Sequence, residues 1–202
     1  RDPNSNAVNR GIQQEVSTTI STFPPLGNGR TNSVLAQRKG YQSPATIAKE
    51  LRLIQAQSRV SFGDAEQDAL TLTQAARSYG AEVLVASSGG PLVSELKKID
   101  AIHATLELNR VGPIVNRINR KRLQEIAGEF RPNLIAARSR GPAHAAKAAA
   151  QLYRLPFVTY FHALYDVKTD KQFRFNAVLA SGDKVIVPSQ YVYDHVQKYY
   201  GV

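Results

Sequence analysis

At 202 residues and 22.2 kDa, with 43% hydrophobic residues, the chain is long enough for one ordinary domain and too apolar for wholesale disorder. It has no cysteine, which excludes disulfides, zinc–thiolate centres and cysteine nucleophiles, and its four histidines (His103, His144, His162, His195) show no metal-ligand spacing. A net charge of +10 and a pI near 9.9 favour an anionic partner: nucleic acid, an acidic lipid surface or a phosphorylated ligand.

Residues 1–48 read differently from the rest. The first 32 are rich in Asn, Ser, Thr, Gly and Pro, with Pro24-Pro25 as a strong breaker and only Asp2 and Glu15 as acids. A basic, hydroxyl-rich, acid-poor leader has the composition of organellar targeting segments. The expectation is an irregular N-terminal extension that serves as a docking arm for a protein partner. The absence of any methionine, the initiator included, marks the chain as processed or trimmed.

Regular elements begin with Ser43-Pro44, a helix cap followed by proline at the first helical position. In chain order the pattern predicts a short helix to 50, a strand at 51–56 and a helix over 64–79 stopped by Gly80. The apolar positions of that helix are Ala65, Leu72, Ala75, Ala76 and Tyr79. A strand at 82–86 leads into the turn Ser87-Ser88-Gly89-Gly90-Pro91, then a helix over 92–99 and a strand at 102–106. A basic helix over 113–129, a strand at 134–137 and an alanine-rich helix over 141–153 follow, and then a strand at 157–161. The last elements are a helix over 171–179, a strand at 184–187 and a helix over 189–199. Short, continuously apolar strands alternating with helices predict a parallel sheet covered on both faces: an α/β, Rossmann-like, doubly wound fold over 49–202. No apolar run reaches the roughly 18–20 residues of a membrane span, so the chain is expected to be soluble.

In such sheets ligands bind beyond the carboxyl ends of the strands, which makes the following loops the candidate sites. The first loop contains Gly63 and Asp64 at a helix start, where backbone N–H groups and the helix dipole can meet a phosphate, although an ordinary strand-to-helix loop has the same look. The second, Ser88-Gly89-Gly90, permits close backbone approach by a ligand or a neighbouring loop. The third, Arg138-Ser139-Arg140, is a candidate anion site at a helix start, with a solvated basic loop as the bland alternative. The fourth is His162, with Asp166 in the same loop as a residue that could orient or pair with it. Arg110, Arg117, Arg120, Lys121 and Arg122 crowd one stretch, suiting an anionic surface or a phosphorylated ligand. Nucleic acid suits the charge too, but no nucleic-acid motif or interleaved aromatic platform accompanies it.

Three segments, SFGDAEQDALTLTQAARSYGAEVLVASSGGPL, FRPNLIAARSRGPAHAAKAAAQLYRLPFVTYFHALY and FNAVLASGDKVIVPSQYVYDHVQKYYGV, resemble in order and spacing the N-terminal domain of glycosyltransferase family 4. The similarity runs over about 51–202. It implies one half of a GT-B architecture, two Rossmann-like domains facing across a cleft, that moves a sugar from a nucleotide-sugar with retention and without a metal or other cofactor. The N-terminal half mostly binds the acceptor. By the resemblance, Gly63 matches part of the glycine loop that approaches the donor phosphates. His162 matches a histidine near the reacting sugar, and Arg138 and Arg140 match acceptor-side basic residues. The chain departs from the pattern at Phe62-Gly63, where a glycine pair is usual, and at Ala136 or Ala137, where a histidine is common. It ends where the family continues into a donor domain, so the expectation is an acceptor-binding half that is not competent alone. The alternative is a catalytically inactive, glycosyltransferase-like structural subunit of a larger assembly, an organellar one included.

Overall fold

A computed structural model describes residues 43–202; the expected docking arm, through residue 42, lies outside the described residues. Pro44–Val202 forms one compact unit. Its elements are α1 (Pro44–Glu50), β1 (Arg52–Ala56), α2 (Asp64–Ser78), β2 (Glu82–Ser87), α3 (Val93–Lys98), β3 (Ile102–Thr105) and α4 (Pro113–Phe130). After these come β4 (Leu134–Ala137), α5 (Arg140–Tyr153), β5 (Phe157–Tyr160), α6 (Asp170–Asn176), a 3-10 turn (Ala177–Ala180), β6 (Lys184–Ile186) and α7 (Gln190–Tyr200).

The six strands form one sheet in the order β3-β2-β1-β4-β5-β6, every pair parallel. That is the doubly wound arrangement predicted from the alternating elements. Side-chain alternation splits the core in two. Ile54, Ala56, Ile135 and Ala137 face one side, where they pack with Leu123 of α4, Ala146 of α5 and Val196 of α7. Leu53, Val83, Val85 and Ala136 face the other, against Leu70 of α2 and Leu96 of α3. Burying each large aliphatic side chain is worth about 1.5–3 kcal/mol, and the two layers together hold the sheet. The alanines of α5 let that helix sit close on β4: Ala143, Ala146 and Ala149 are fully buried.

Arg52 ties the amino ends of the strands to α4. Its guanidinium donates to the Phe130 carbonyl (2.6 Å from Nη2) and to the Arg131 carbonyl (3.2 Å from Nε), satisfying the last carbonyls of a helix with a cation at its negative end. The expected helix over 171–179 divides into α6 and the 3-10 turn. Thr169 and Gln172 close a capping box at its start, while the Asn176 side chain is drawn off to the Asp166 carbonyl at 2.8 Å. The core face of α2 also differs from the apolar positions read in the sequence. Ala69, Leu70 and Thr73 are buried, whereas Ala75 and Tyr79 are exposed. Thr73 is taken inside because its hydroxyl receives a 2.6 Å bond from the Gln55 amide and donates to the Ala69 carbonyl.

Candidate functional site

β1 and β4 are adjacent at the point where the strand order reverses, and the residue after β4 is Arg138. Its side chain is buried, with 4% of its surface exposed, and none of its bonds is to a carboxylate. Nε donates to Gln55 Oε1 at 3.2 Å, and Nη1 lies 3.4 Å from His162 Nε2. The guanidinium also rests on the Tyr160 ring, 3.8 Å from its centroid. The His162 ring lies nearly parallel to Tyr160, 5.7 Å away. A chain Thr73–Gln55–Arg138–His162 thus runs from α2, through the buried ends of β1 and β4, to the loop after β5.

This geometry sets the state of His162. A guanidinium has donors only, so Nε2 must accept, and a neutral ring that accepts there carries its proton on Nδ1. Burial, first, and then the charge of Arg138 hold the imidazole below its ordinary value of 6.5, against the opposing pull of Asp68 and Glu66. Burial likewise lowers the Arg138 guanidinium, opposed by Tyr160 and Asp68. Asp166 is not the partner of His162. Its carboxylate lies 3.6 Å from Lys168 Nζ, and its carbonyl accepts from Asn176.

Arg138 and Arg140, two apart on a strand-to-helix turn, point into different surroundings. Arg140 Nη1 donates to Asn176 Oδ1 at 3.0 Å, and its guanidinium lies over the Tyr165 and Phe175 rings at 4.3 and 5.5 Å. It clasps α6 and the loop after β5 to the start of α5. Ser139 is the extended residue before α5, without a side-chain cap bond.

The Ser88-Gly89-Gly90 loop lies against the loop after β1. Ser88 Oγ donates to the Ser58 carbonyl at 2.5 Å, Val60 N to the Gly89 carbonyl at 3.0 Å and Leu92 N to the Val60 carbonyl at 3.2 Å. Gly90, at φ +150°, is required there because an added Cβ would strike the Val60 carbonyl. Ser87 Oγ, 2.8 Å from His103 Nε2, is fully buried and holds this turn from beneath. At Gly63 the space above the loop is taken by the Glu66 carboxylate, and Asp64 and Glu66 stand in the first turn of α2. Phe62 beside it is 69% exposed.

A cleft of about 360 Å³ lies beyond the carboxyl ends of β2 and β3, and His162 is not among the residues that line it. Ser88, Thr105, Glu107, Asn119 and Arg122 line it with polar groups, and Val115 and Ile118 with apolar ones. The chemistry-bearing cluster and this cleft therefore occupy two parts of the same sheet edge. Gln55, Thr73 and Tyr160 were not singled out in the sequence. A lone Gln inside an apolar strand was the one available signal, since a buried amide needs partners. Among the described residues no group of His, Asp and Glu is placed to hold a metal, and no helix is long and apolar enough to cross a membrane.

A glycosyltransferase from Rickettsia africae ESF-5 has a similar structure, at 24% identity and a TM-score of 0.63, covering 74% of this chain and 40% of that one. Anabaena Alr3699/HepE in complex with UDP-glucose matches at 17% identity and a TM-score of 0.58, over 73% and 40% of the two chains. UDP-GlcNAc 2-epimerase from Methanocaldococcus jannaschii shares the architecture at 4% identity and a TM-score of 0.54, over 72% and 42%. The chain thus spans about 40% of the length of these solved relatives, and at such identities they show the fold alone. A search of curated proteins returns no match. The family model for Glycosyltransferase Family 4 matches residues 65–202, which takes in Arg138, His162 and the loops around them. The chain belongs to glycosyltransferase family 4.

Proposed function

We propose that this unit is the acceptor-binding half of a retaining, nucleotide-sugar-dependent glycosyltransferase, completed by a donor-binding domain that these 202 residues do not contain. The supporting observation is the Arg138–His162 pair at the carboxyl edge of the sheet, beside its reversal point. A neutral imidazole held through Nε2 offers Nδ1–H as a donor of fixed direction, suited to a hydroxyl of the transferred sugar or its acceptor. His162 touches the reacting sugar in this reading, and Arg138 positions it. The acceptor lies in the cleft beside Ser88, with Gly89 and Gly90 shaping its wall. Ser139 and Arg140 complete the anion-binding turn. Gly63 and Asp64 form the loop that faces the donor phosphates, and the Glu66 carboxylate over Gly63 must swing aside to admit them. No metal or other cofactor enters, and residues 1–48 dock a protein partner.

A second reading, a catalytically inactive subunit of a larger assembly, is favoured by that same first loop. Asp64 and Glu66 place two carboxylates where a diphosphate would need donors, and Phe62 stands where a small residue eases approach. Native purification from the source under mild salt separates the two, followed by transfer assays with UDP-sugars and other nucleotide-sugars. Recovery with a nucleotide-sugar-binding domain, and turnover that falls at least tenfold in His162→Ala, is the result expected of the enzyme. Unchanged turnover in that variant removes His162 from the site. Stoichiometric recovery in an assembly with no such domain and no turnover establishes the inactive subunit.

A further inference from the structure

The first two turns of α4 carry apolar side chains on the wrong side for a core. Leu123, buried at 0% exposure, marks the inward direction. At 3.6 residues per turn Ile114 points about 180° away from it and Ile118 within about 40° of Ile114. Both are exposed, at 76% and 51%, and Val111 just before the helix is 61% exposed. Lys121 continues this ridge, Arg117 lies about 60° to one side of Ile114 and Arg122 about 80° to the other. Among the described residues Arg117, Arg120 and Arg122 make no ion pair, while Lys121 lies 3.8 Å from Glu125 and Arg110 pairs with Glu107 at 3.1 Å. A ridge of branched aliphatics flanked on both sides by unpaired cations is the pattern of a helix that lies in a membrane interface. It does not suit nucleic acid, because no aromatic interleaves the cations and the aliphatic ridge has nothing to meet in a phosphate backbone.

We propose that the N-terminal half of α4 docks on an anionic lipid surface. Val111, Ile114 and Ile118 enter the boundary between headgroups and acyl chains, and Arg117, Lys121 and Arg122 meet the lipid phosphates. Ile118 and Arg122 also line the 360 Å³ cleft, so docking places its mouth at the headgroup level. The substrate class that follows is a lipid-carried acceptor whose polar head reaches Ser88 and Glu107 from the membrane. This last step rests on the acceptor-side reading above; the docking does not. With only three aliphatic anchors the attachment is weak, reversible and dependent on anionic lipid.

The test is co-sedimentation of the 202-residue chain with vesicles of phosphatidylglycerol in phosphatidylcholine, against phosphatidylcholine alone, without sugar donor or acceptor. Binding to the anionic vesicles and not to the neutral ones is expected. Arg117→Gln and Arg122→Gln should each weaken it about fivefold. Ile114→Ser with Ile118→Ser should weaken it about tenfold or more at unchanged thermal midpoint, since both side chains are exposed in the free protein. Basic residues elsewhere, the first 42 included, contribute equally to every variant. Absent binding, or binding that the isoleucine pair does not alter, overturns the proposal. So does a change of oligomeric state in that pair without a change in vesicle binding, which assigns the ridge to a second copy. Because no transfer is measured, failure here leaves the glycosyltransferase reading standing, and absence of transfer in the nucleotide-sugar assays described above, with vesicle binding intact, overturns only that reading.

Discussion

A guanidinium buried as deeply as that of Arg138, without a carboxylate bonded to it, opposes folding, because desolvating a cation costs several kcal/mol that its Gln55 and Tyr160 contacts offset only in part. Such a residue earns its place through its effect on a neighbour, here the acceptor role it imposes on His162 Nε2. Arg138→Met keeps most of the volume and removes the charge. Losing the partner of Gln55 Oε1 costs about 1–3 kcal/mol, and relief from the buried charge is at least as large. The variant is therefore expected to hold or raise its denaturant midpoint while the His162 ring nitrogens shift toward a tautomeric mixture in nitrogen NMR. A loss of more than about 3 kcal/mol with an unchanged tautomer would make Arg138 a plain structural residue. Nothing in the chain's order of residues distinguishes Arg138 from Arg140. Both read as basic residues at a helix start, and only the packed surroundings send one to His162 and the other to Tyr165 and Asn176.

Loops between elements hold the carboxyl edge in shape, and two glycines there differ sharply in what they tolerate. Gly90 sits at φ +150° with the Val60 backbone against its open side, so Gly90→Ala combines a strained conformation with a backbone clash and should cost on the order of 3 kcal/mol. Gly63 has an ordinary extended backbone at φ −69°, and its close neighbour is the end of the flexible Glu66 side chain. Gly63→Ala should stay within about 1 kcal/mol, the cost of a poorer helix cap. Urea midpoints of the two variants check the pair, and equal losses would mean that the two loops do not approach as described. At this scale the sequence was most legible. Pro113 opens α4, Gly80 follows α2, and the apolar runs at 82–86 and 134–137 are strands to within a residue. What escaped it were exchanges of hydrogen-bond partner: Thr73 drawn into the core by Gln55, and Asn176 drawn off to the loop where the helix expected over 171–179 divides. Neither leaves a trace in periodicity, because each depends on a partner outside the helix concerned.

Over the whole molecule, three half-buried histidines make stability depend on pH. Alternation of apolar strands and helices sufficed for the doubly wound sheet, since few other arrangements bury both faces of every strand. The balance of ionisable groups needed the packing. His103 on β3, His144 on α5 and His162 after β5 lie in three separate parts of the unit, and burial is the main cause holding each below the ordinary value of 6.5. Lys97 adds to the shift at His103 and Arg138 at His162, while the backbone bond at Phe175 opposes it at His144. A histidine with a depressed folded pKa binds fewer protons folded than unfolded once pH drops below 6.5. Stability is then full above that value, falls as pH descends from it toward the folded pKa, and levels off below. Thermal midpoints measured from pH 7.5 to 5 should decline from about pH 6.5 downward, before most carboxylates begin to titrate. The contribution of His162 is read by difference. His162→Gln, which keeps a polar side chain beside Arg138, should flatten that decline relative to the parent while leaving the midpoint at pH 7.5 nearly unchanged. A decline of equal steepness in the variant would mean that His162 takes up its proton in the folded state as readily as in the unfolded one, and that Arg138 does not hold it neutral.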